Sequence, residues 1–188
     1  MAKLYFRYAA MNAGKTTQSL QVKYNYEERG QKALLLKPAV DNRYGVEKLK
    51  SRIGLECDAE VINQDTNLLN LIKNKELNYI IIDEAQFHTR DQVLQICSIV
   101  DGQNIPVIAY GLRSDFKGDL FPGSEALLSF ADSIEELKTI CWCGKKAIMN
   151  TRLLNGQPTY EGEQIQIGGN ESYISLCRKH WREGKIEP

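Results

Sequence analysis

Tyr8-Ala9-Ala10-Met11-Asn12-Ala13-Gly14-Lys15-Thr16 closes an apolar run that begins at Leu4, and its reading decides the fold. A strand that turns through a Gly-Lys-Thr corner into a helix lines up backbone N–H donors at the positive end of a helix dipole. That arrangement suits a chain of phosphates. The usual form of such a loop is G-x-x-x-x-G-K-[ST], and here it runs from Ala9 to Thr16 with alanine in the first glycine position. A surface turn could carry the same three letters by chance. The order strand, loop, helix favours the phosphate cradle.

Working outward, residues 17–29 carry Leu20, Val22 and Tyr24 with little to break a helix, and Gly30 is placed as its terminator. Residues 32–37 form a short apolar run stopped by Pro38, which predicts a second parallel strand beside the first. Residues 41–52 are polar, with Asp41, Arg43 and Arg52 in no strong period. They read either as a solvated loop or, leaving a strand end beside the phosphate loop, as groups near phosphates and metal. Val61-Ile62 is a possible edge strand, and residues 66–75 predict a helix with Leu68, Leu69 and Ile72 on one face. A second chemical signal follows in Tyr79-Ile80-Ile81-Ile82-Asp83-Glu84, a buried-type strand running straight into two carboxylates. A carboxylate at a sheet end is costly unless a cation or hydrogen bonds offset it, so Asp83 reads as directed at magnesium.

Residues 90–101 predict a helix in which Cys97 is a core thiol, and residues 105–111 another buried strand with Pro106 confined to its start. The loop over residues 111–122 is unusually apolar for a loop. Leu112, Phe116 and Phe121 either cover a core edge or wall a pocket for a flat ligand. Residues 124–130 predict a helix and residues 133–140 one more strand. The sum is an α/β domain on a parallel sheet. At 188 residues there is room for one such domain plus a small appendage.

The 24 basic and 24 acidic residues cancel, so no global charge attracts a polyanion, and any nucleotide contact must be local. The N-terminus lacks a long apolar core, and no stretch approaches the length of a membrane span. A soluble, cytoplasmic protein without membrane or nucleic-acid partners is expected. Five cysteines are an odd number, with three of them in the last quarter, which fits a metal cluster better than a disulfide framework. Cys141-Trp142-Cys143 and Cys177-Arg178-Lys179-His180 supply three thiols and an imidazole in two knuckles 33 residues apart. Such a set suits tetrahedral zinc with no open position, a staple rather than a reactive centre. Between the knuckles, residues 150–173 contain Gly156, Pro158, Gly162, Gly168 and Gly169 and read as a flap on a fixed base.

Taken together, residues 8–16, Asp83-Glu84-Ala85-Gln86-Phe87, residues 110–116, residues 167–173 and Cys177-Arg178-Lys179-His180 make the chain resemble the zinc-containing class of thymidine kinases, in its bacterial and phage-like branch. The resemblance spans residues 3–180, and both the Cys-x-Cys spacing and the alanine at position 9 look like that branch. It implies a P-loop NTPase-type, RecA-like parallel sheet flanked by helices over residues 1–138. A zinc-ribbon domain over residues 139–188 would carry a lasso-like flap. It further implies transfer of the γ-phosphate of ATP to the 5′-hydroxyl of thymidine, with Mg²⁺ and structural Zn²⁺.

By similarity, ATP would be held by Ala9, Ala10, Met11, Asn12, Ala13, Gly14, Lys15 and Thr16 together with Asp83, Glu84, Ala85 and Gln86. Lys15 would neutralise developing charge, Thr16 and Asp83 would take magnesium, and Glu84 would be the general base. Arg52 would contact phosphates and Asp41 the metal shell. Met11, Phe87, Leu112, Phe116 and Phe121 would wall the base, and Gln164, Ile165, Gln166, Ile167, Gly168 and Tyr173 would close over thymidine. Zinc would bind Cys141, Cys143, Cys177 and His180. Homodimers or homotetramers and feedback by thymidine triphosphate (dTTP) are family expectations. Two other classes compete: a P-loop ATPase, which leaves the zinc-held flap and aromatic loop unexplained, and a zinc ribbon gripping nucleic acid, which usually brings basic stripes. Here the cluster Arg178, Lys179 and Arg182 is short and offset by Glu161, Glu163 and Glu171.

Overall fold

The computed structural model describes residues 1–40, 48–51, 53–166 and 172–188. In chain order it contains β1 (Leu4–Ala9), α1 (Lys15–Glu27), β2 (Ala33–Pro38), β3 (Lys48–Lys50), β4 (Glu56–Asp58), β5 (Glu60–Ile62) and α2 (Leu68–Ile72). There follow β6 (Tyr79–Ile82), a 3-10 turn (Ala85–Phe87), α3 (Arg90–Gln103), β7 (Val107–Leu112), α4 (Pro122–Phe130) and β8 (Ser133–Glu136). The tail holds β9 (Thr139–Ile140), β10 (Lys146–Ala147), β11 (Met149–Leu154), β12 (Gln157–Thr159), β13 (Tyr173–Leu176) and α5 (Arg178–Glu183).

The main sheet has six strands in the order β5-β2-β6-β7-β1-β8, all parallel. Parallel sheets need both faces covered, and the strand runs are apolar accordingly. Leu34, Leu36, Ile80 and Ile82 point into a core with α2, α3 and α4, while Leu35, Tyr79, Ile81 and Tyr110 point into a second core under Leu20 of α1. Each fully buried aliphatic side chain of this kind contributes about 1.5–3 kcal/mol before entropy is counted. The carboxyl ends of β1 and β6 thereby reach one edge with β7 between them, Ala9 beside Leu112 and Ile82 beside Ala109. That edge is where ligands bind in open α/β sheets.

Several expectations change. Strand β2 does not lie beside β1; β6 and β7 intervene, because the α1 crossover carries the chain over two strand positions before it re-enters the sheet. Helix α1 starts at Lys15, two residues early, since Gly14 takes a left-handed φ of 76° and starts the helix at the phosphate loop itself. The helix expected over residues 66–75 shrinks to Leu68–Ile72, because the Asn67 side chain caps it and the Thr66 hydroxyl bonds Asn63 instead. The polar segment after β2 ends in a strand, β3, that pairs with β4 as an antiparallel arm. Residues 133–140 split in two: β8 edges the main sheet beside β1, Leu137 caps it by donating its N–H to the Tyr8 carbonyl, and β9 then pairs with β10. The glycine-rich connection is not one flap either. Asn155 and Gly156 have φ of 52° and 75°, the conformation of a two-residue hairpin turn, and fold β11 against β12.

Candidate active site

Above the carboxyl edge lies a cavity of about 260 Å³ lined by residues 11–17, Lys50, Ile53, Glu84 and Leu112. Gly14 and the opening turn of α1 aim backbone N–H groups into it, the geometry that receives an anion. Lys15 is nearly buried, and its Nζ donates to the Ala10 carbonyl at 3.2 Å, folded along the loop that it would serve. Thr16 Oγ1 donates to Asp83 Oδ2 at 2.8 Å. Asp83 is 1% exposed, and its other oxygen, Oδ1, has no hydrogen-bond partner among the described residues. Burial first, then the adjacent Glu84 charge, hold the Asp83 carboxyl well above the usual carboxylate range. A hydroxyl and an orphaned carboxylate oxygen side by side are the donor set of a hard divalent cation, so these residues fit magnesium. Ala9, Ala10 and Ala85 are buried behind the loop and do not line the cavity.

Glu84 begins the 3-10 turn in a left-handed backbone conformation, φ 49°, a strained state for a residue with a side chain. Its Oε2 accepts from Gln86 Nε2 at 2.6 Å, and Gln86 Oε1 in turn accepts the Leu112 N–H at 3.0 Å. Gln86 is 1% exposed, so this chain of bonds aims the carboxylate from a fixed wall. The turn is pressed against the start of α4: a Cβ on Gly123 would come within 2.8 Å of the carbonyls of Ala85, Gln86 and His88, so only glycine fits. His88 just beyond it is buried, neither ring nitrogen finds a partner among the described residues, and burial pushes its pKa down to about 4.

On the far side of Glu84 lies a smaller cavity, about 60 Å³, lined by Met11, Glu84, Gln86, Phe87, Leu112, Phe121, Gln164, Ile165, Gln166 and Tyr173. Phe87 and Phe121 meet edge-on at 5.7 Å. The two cavities share Met11, Glu84 and Leu112, and the carboxylate therefore stands between them. Phe116 is not in this wall. It is 1% exposed, lies under the Arg152 guanidinium at 3.7 Å, and accepts a bond from Trp181 at its carbonyl.

Cys141, Cys143, Cys177 and His180 bring one ligand atom each within 4.8 Å of one another. Cys141 Sγ lies 3.4 Å from His180 Nδ1, and Cys143 Sγ lies 4.0 Å from Cys177 Sγ. Tetrahedral zinc with Zn–S bonds near ~2.3 Å needs sulfur–sulfur edges of about 3.8 Å, so the cluster fits that ion. The His180 N–H first, then the Cys141 and Cys143 side chains and the Lys179 N–H, lower the pKa of the Cys177 thiol against the opposing effect of burial, which favours the thiolate a metal binds. Trp142 stacks on the His180 ring at 4.2 Å and fixes its plane.

A family model described as thymidine kinase matches residues 2–181. The chain belongs to the thymidine kinase family. A thymidine kinase of Legionella pneumophila is 54% identical over 193 residues, covering 100% of this chain and 92% of the relative. Those of Yersinia pseudotuberculosis and Salmonella choleraesuis are 51% and 50% identical, covering 97% and 100% of this chain and 96% and 94% of theirs.

In this thymidine kinase family member, the phosphate loop, Asp83, Glu84, the aromatic loop and the flap converge on one edge. Asp41, Arg43, Arg52, Ile167 and Gly168 lie outside the described residues. Sequence reasoning missed Lys50 and Ile53 on the donor wall, which only the β3–β4 pairing places. It also missed Arg152. That side chain, 3% exposed, donates Nε to the Tyr173 hydroxyl at 3.0 Å, Nη1 to the Glu163 carbonyl at 2.8 Å and Nη2 to the Gln164 carbonyl at 3.2 Å. Asp115 holds the Gln164 side chain from the other side at 3.0 Å. Among the described residues, no helix is long and apolar enough to cross a membrane.

Proposed function

We propose that the protein transfers the γ-phosphate of ATP to the 5′-hydroxyl of thymidine, giving thymidine monophosphate and ADP. The observation that carries this reading is the placement of Glu84 on the wall shared by the phosphate-loop cavity and the aromatic cavity. A hydrolase needs only the first cavity. A kinase needs a base between donor and acceptor.

The phosphates lie against the N–H groups of residues 13–16, with the Lys15 ammonium beside the transferred group, where it offsets charge developing in the transition state. Thr16 and Asp83 would hold a magnesium ion, which when bound would neutralise phosphate charge. Glu84, aimed by Gln86, accepts the proton of the 5′-hydroxyl as its oxygen attacks the γ-phosphorus; position matters more here than basicity. Phe87, Phe121 and Leu112 take the base between them, and Gln164, Ile165, Gln166 and Tyr173 close the far side. At about 60 Å³ this space is below the ~300 Å³ of small-molecule pockets, so a nucleoside enters only once the cavity widens. With thymidine seated there, its 5′-hydroxyl would take the place beside Glu84 that a water would need, which favours transfer over hydrolysis.

Residues 139–188 act as a zinc-stapled unit that presents the flap to a nucleotide-binding unit over residues 1–138. A cytoplasmic location, a homodimer or homotetramer, and inhibition by dTTP complete the reading. It is tested by an acceptor screen with ATP and magnesium across the deoxynucleosides. ADP should form with thymidine and not without an acceptor. Brisk hydrolysis without one would return the chain to the P-loop ATPases.

A further inference from the structure

One face of the β11–β13 ladder carries two cross-strand pairs, and each pair grips a different part of the site. Asn150 faces Ser175 and Arg152 faces Tyr173. Asn150 and Arg152 are two residues apart on one strand, so their side chains leave the same side of the sheet. Asn150 Oδ1 accepts the Met11 N–H at 2.8 Å, and Ser175 Oγ donates to the Met11 carbonyl at 2.6 Å. The Asn150 amide is itself anchored, donating to the Ser114 carbonyl at 2.9 Å. The second pair holds the flap: Arg152 takes the carbonyls of Glu163 and Gln164, and the Tyr173 hydroxyl donates to the Gln166 carbonyl at 2.8 Å. The zinc cluster closes the far end of this ladder, with Cys177 directly after β13.

We propose that Asn150 and Ser175 are positioning residues that set the phosphate loop in register with the acceptor flap, the β11–β13 ladder acting as the spacer between the two substrates. Met11 is the residue on which this setting bears, since it lines both cavities and opens the loop that receives the phosphates. Both polar groups of its backbone are fixed by side chains from the zinc-stapled sheet. A shift of Met11 moves donor and acceptor relative to each other while the other residues that line each cavity keep their places. The inference rests on the kinase reading, and its signature is a fall in turnover rather than in affinity.

The test uses the full-length, zinc-loaded protein with Ser175→Ala, Ser175→Thr and Ser175→Cys. Ser175→Ala should lower kcat about tenfold through misalignment while the Kd of magnesium ATP and the KM of thymidine stay within about threefold. Ser175→Thr, which keeps the hydroxyl, should recover most of kcat. If the alanine variant does not fold, the comparison is read on Ser175→Cys, which keeps the shape with a weaker donor. Amide exchange over residues 11–16 without substrates should speed up in the alanine or cysteine variant and return in the threonine variant. An unchanged kcat, a change in KM alone, a threonine variant no better than alanine, or unchanged exchange would each overturn the proposal. Failure of the unmodified protein to use thymidine would overturn the kinase reading instead, and the exchange comparison would still decide the role of Ser175.

Discussion

At Glu84 the chain spends backbone strain, φ 49°, to stand a carboxylate at the strand end, and Gln86 fixes where it points. Replacing it by glutamine keeps the shape and removes the proton acceptor. Glu84→Gln should retain magnesium ATP binding and lose about 10²-fold or more in kcat, since general bases typically contribute 10²–10⁴-fold. Equilibrium binding alongside steady-state rates checks both halves. His88, close by, makes a different prediction. Its folded pKa, about 4, lies below the ordinary value of 6.5, so on acidification the unfolded chain binds the proton first. Taken alone, His88 therefore leaves stability level above about pH 6.5 and lowers it between there and pH 4, by up to roughly 1.4 kcal/mol per pH unit, while the raised Asp83 carboxyl, which the folded chain protonates first, opposes that decline over the same range. Denaturant unfolding of the protein and of His88→Phe across that range isolates the contribution; the stability of the protein relative to the variant should fall with that slope as the pH drops.

At the scale of elements, what was legible in the sequence was what local chemistry dictates. Gly14-Lys15-Thr16 must open a helix, four apolar residues before Asp83 must be an interior strand, and two Cys knuckles must meet to be of use. Strand order was not legible, because nothing in residues 32–37 says how many positions the α1 crossover passes. Asn155-Gly156 carries the signal of a two-residue hairpin turn, but the glycines and proline around it suit one long loop equally well. The side chains that join the parts were not legible. Asn150 reaches Met11 across 139 residues and Ser175 across 164, and no local pattern marks an asparagine or serine for such a contact. The ladder that these residues stand on would make a zinc ion held by the cluster more than a remote staple. Chelating the metal, or Cys177→Ser, should loosen β13 at its end, raising the KM of thymidine through the flap and lowering kcat through Met11. An unchanged KM in zinc-free but folded protein would contradict this link.

Across the whole molecule, a parallel sheet brings a Gly-Lys-Thr loop and a buried acidic strand end to one edge, and the tail closes a second cavity, walled by Phe87 and Phe121, beside them. Balanced charge leaves long-range attraction out of the account, so recognition is a matter of local donors and shape. The chain belongs to the thymidine kinase family, with identity above 50% to the Legionella and Yersinia members along nearly all of its length. The central claim is that the site is built for two substrates, with Glu84 between them. It is tested most directly by measuring ADP formation from magnesium ATP with and without thymidine. Turnover should depend on thymidine and yield one thymidine monophosphate per ADP; ADP released at the same rate with thymidine absent would contradict a two-substrate site.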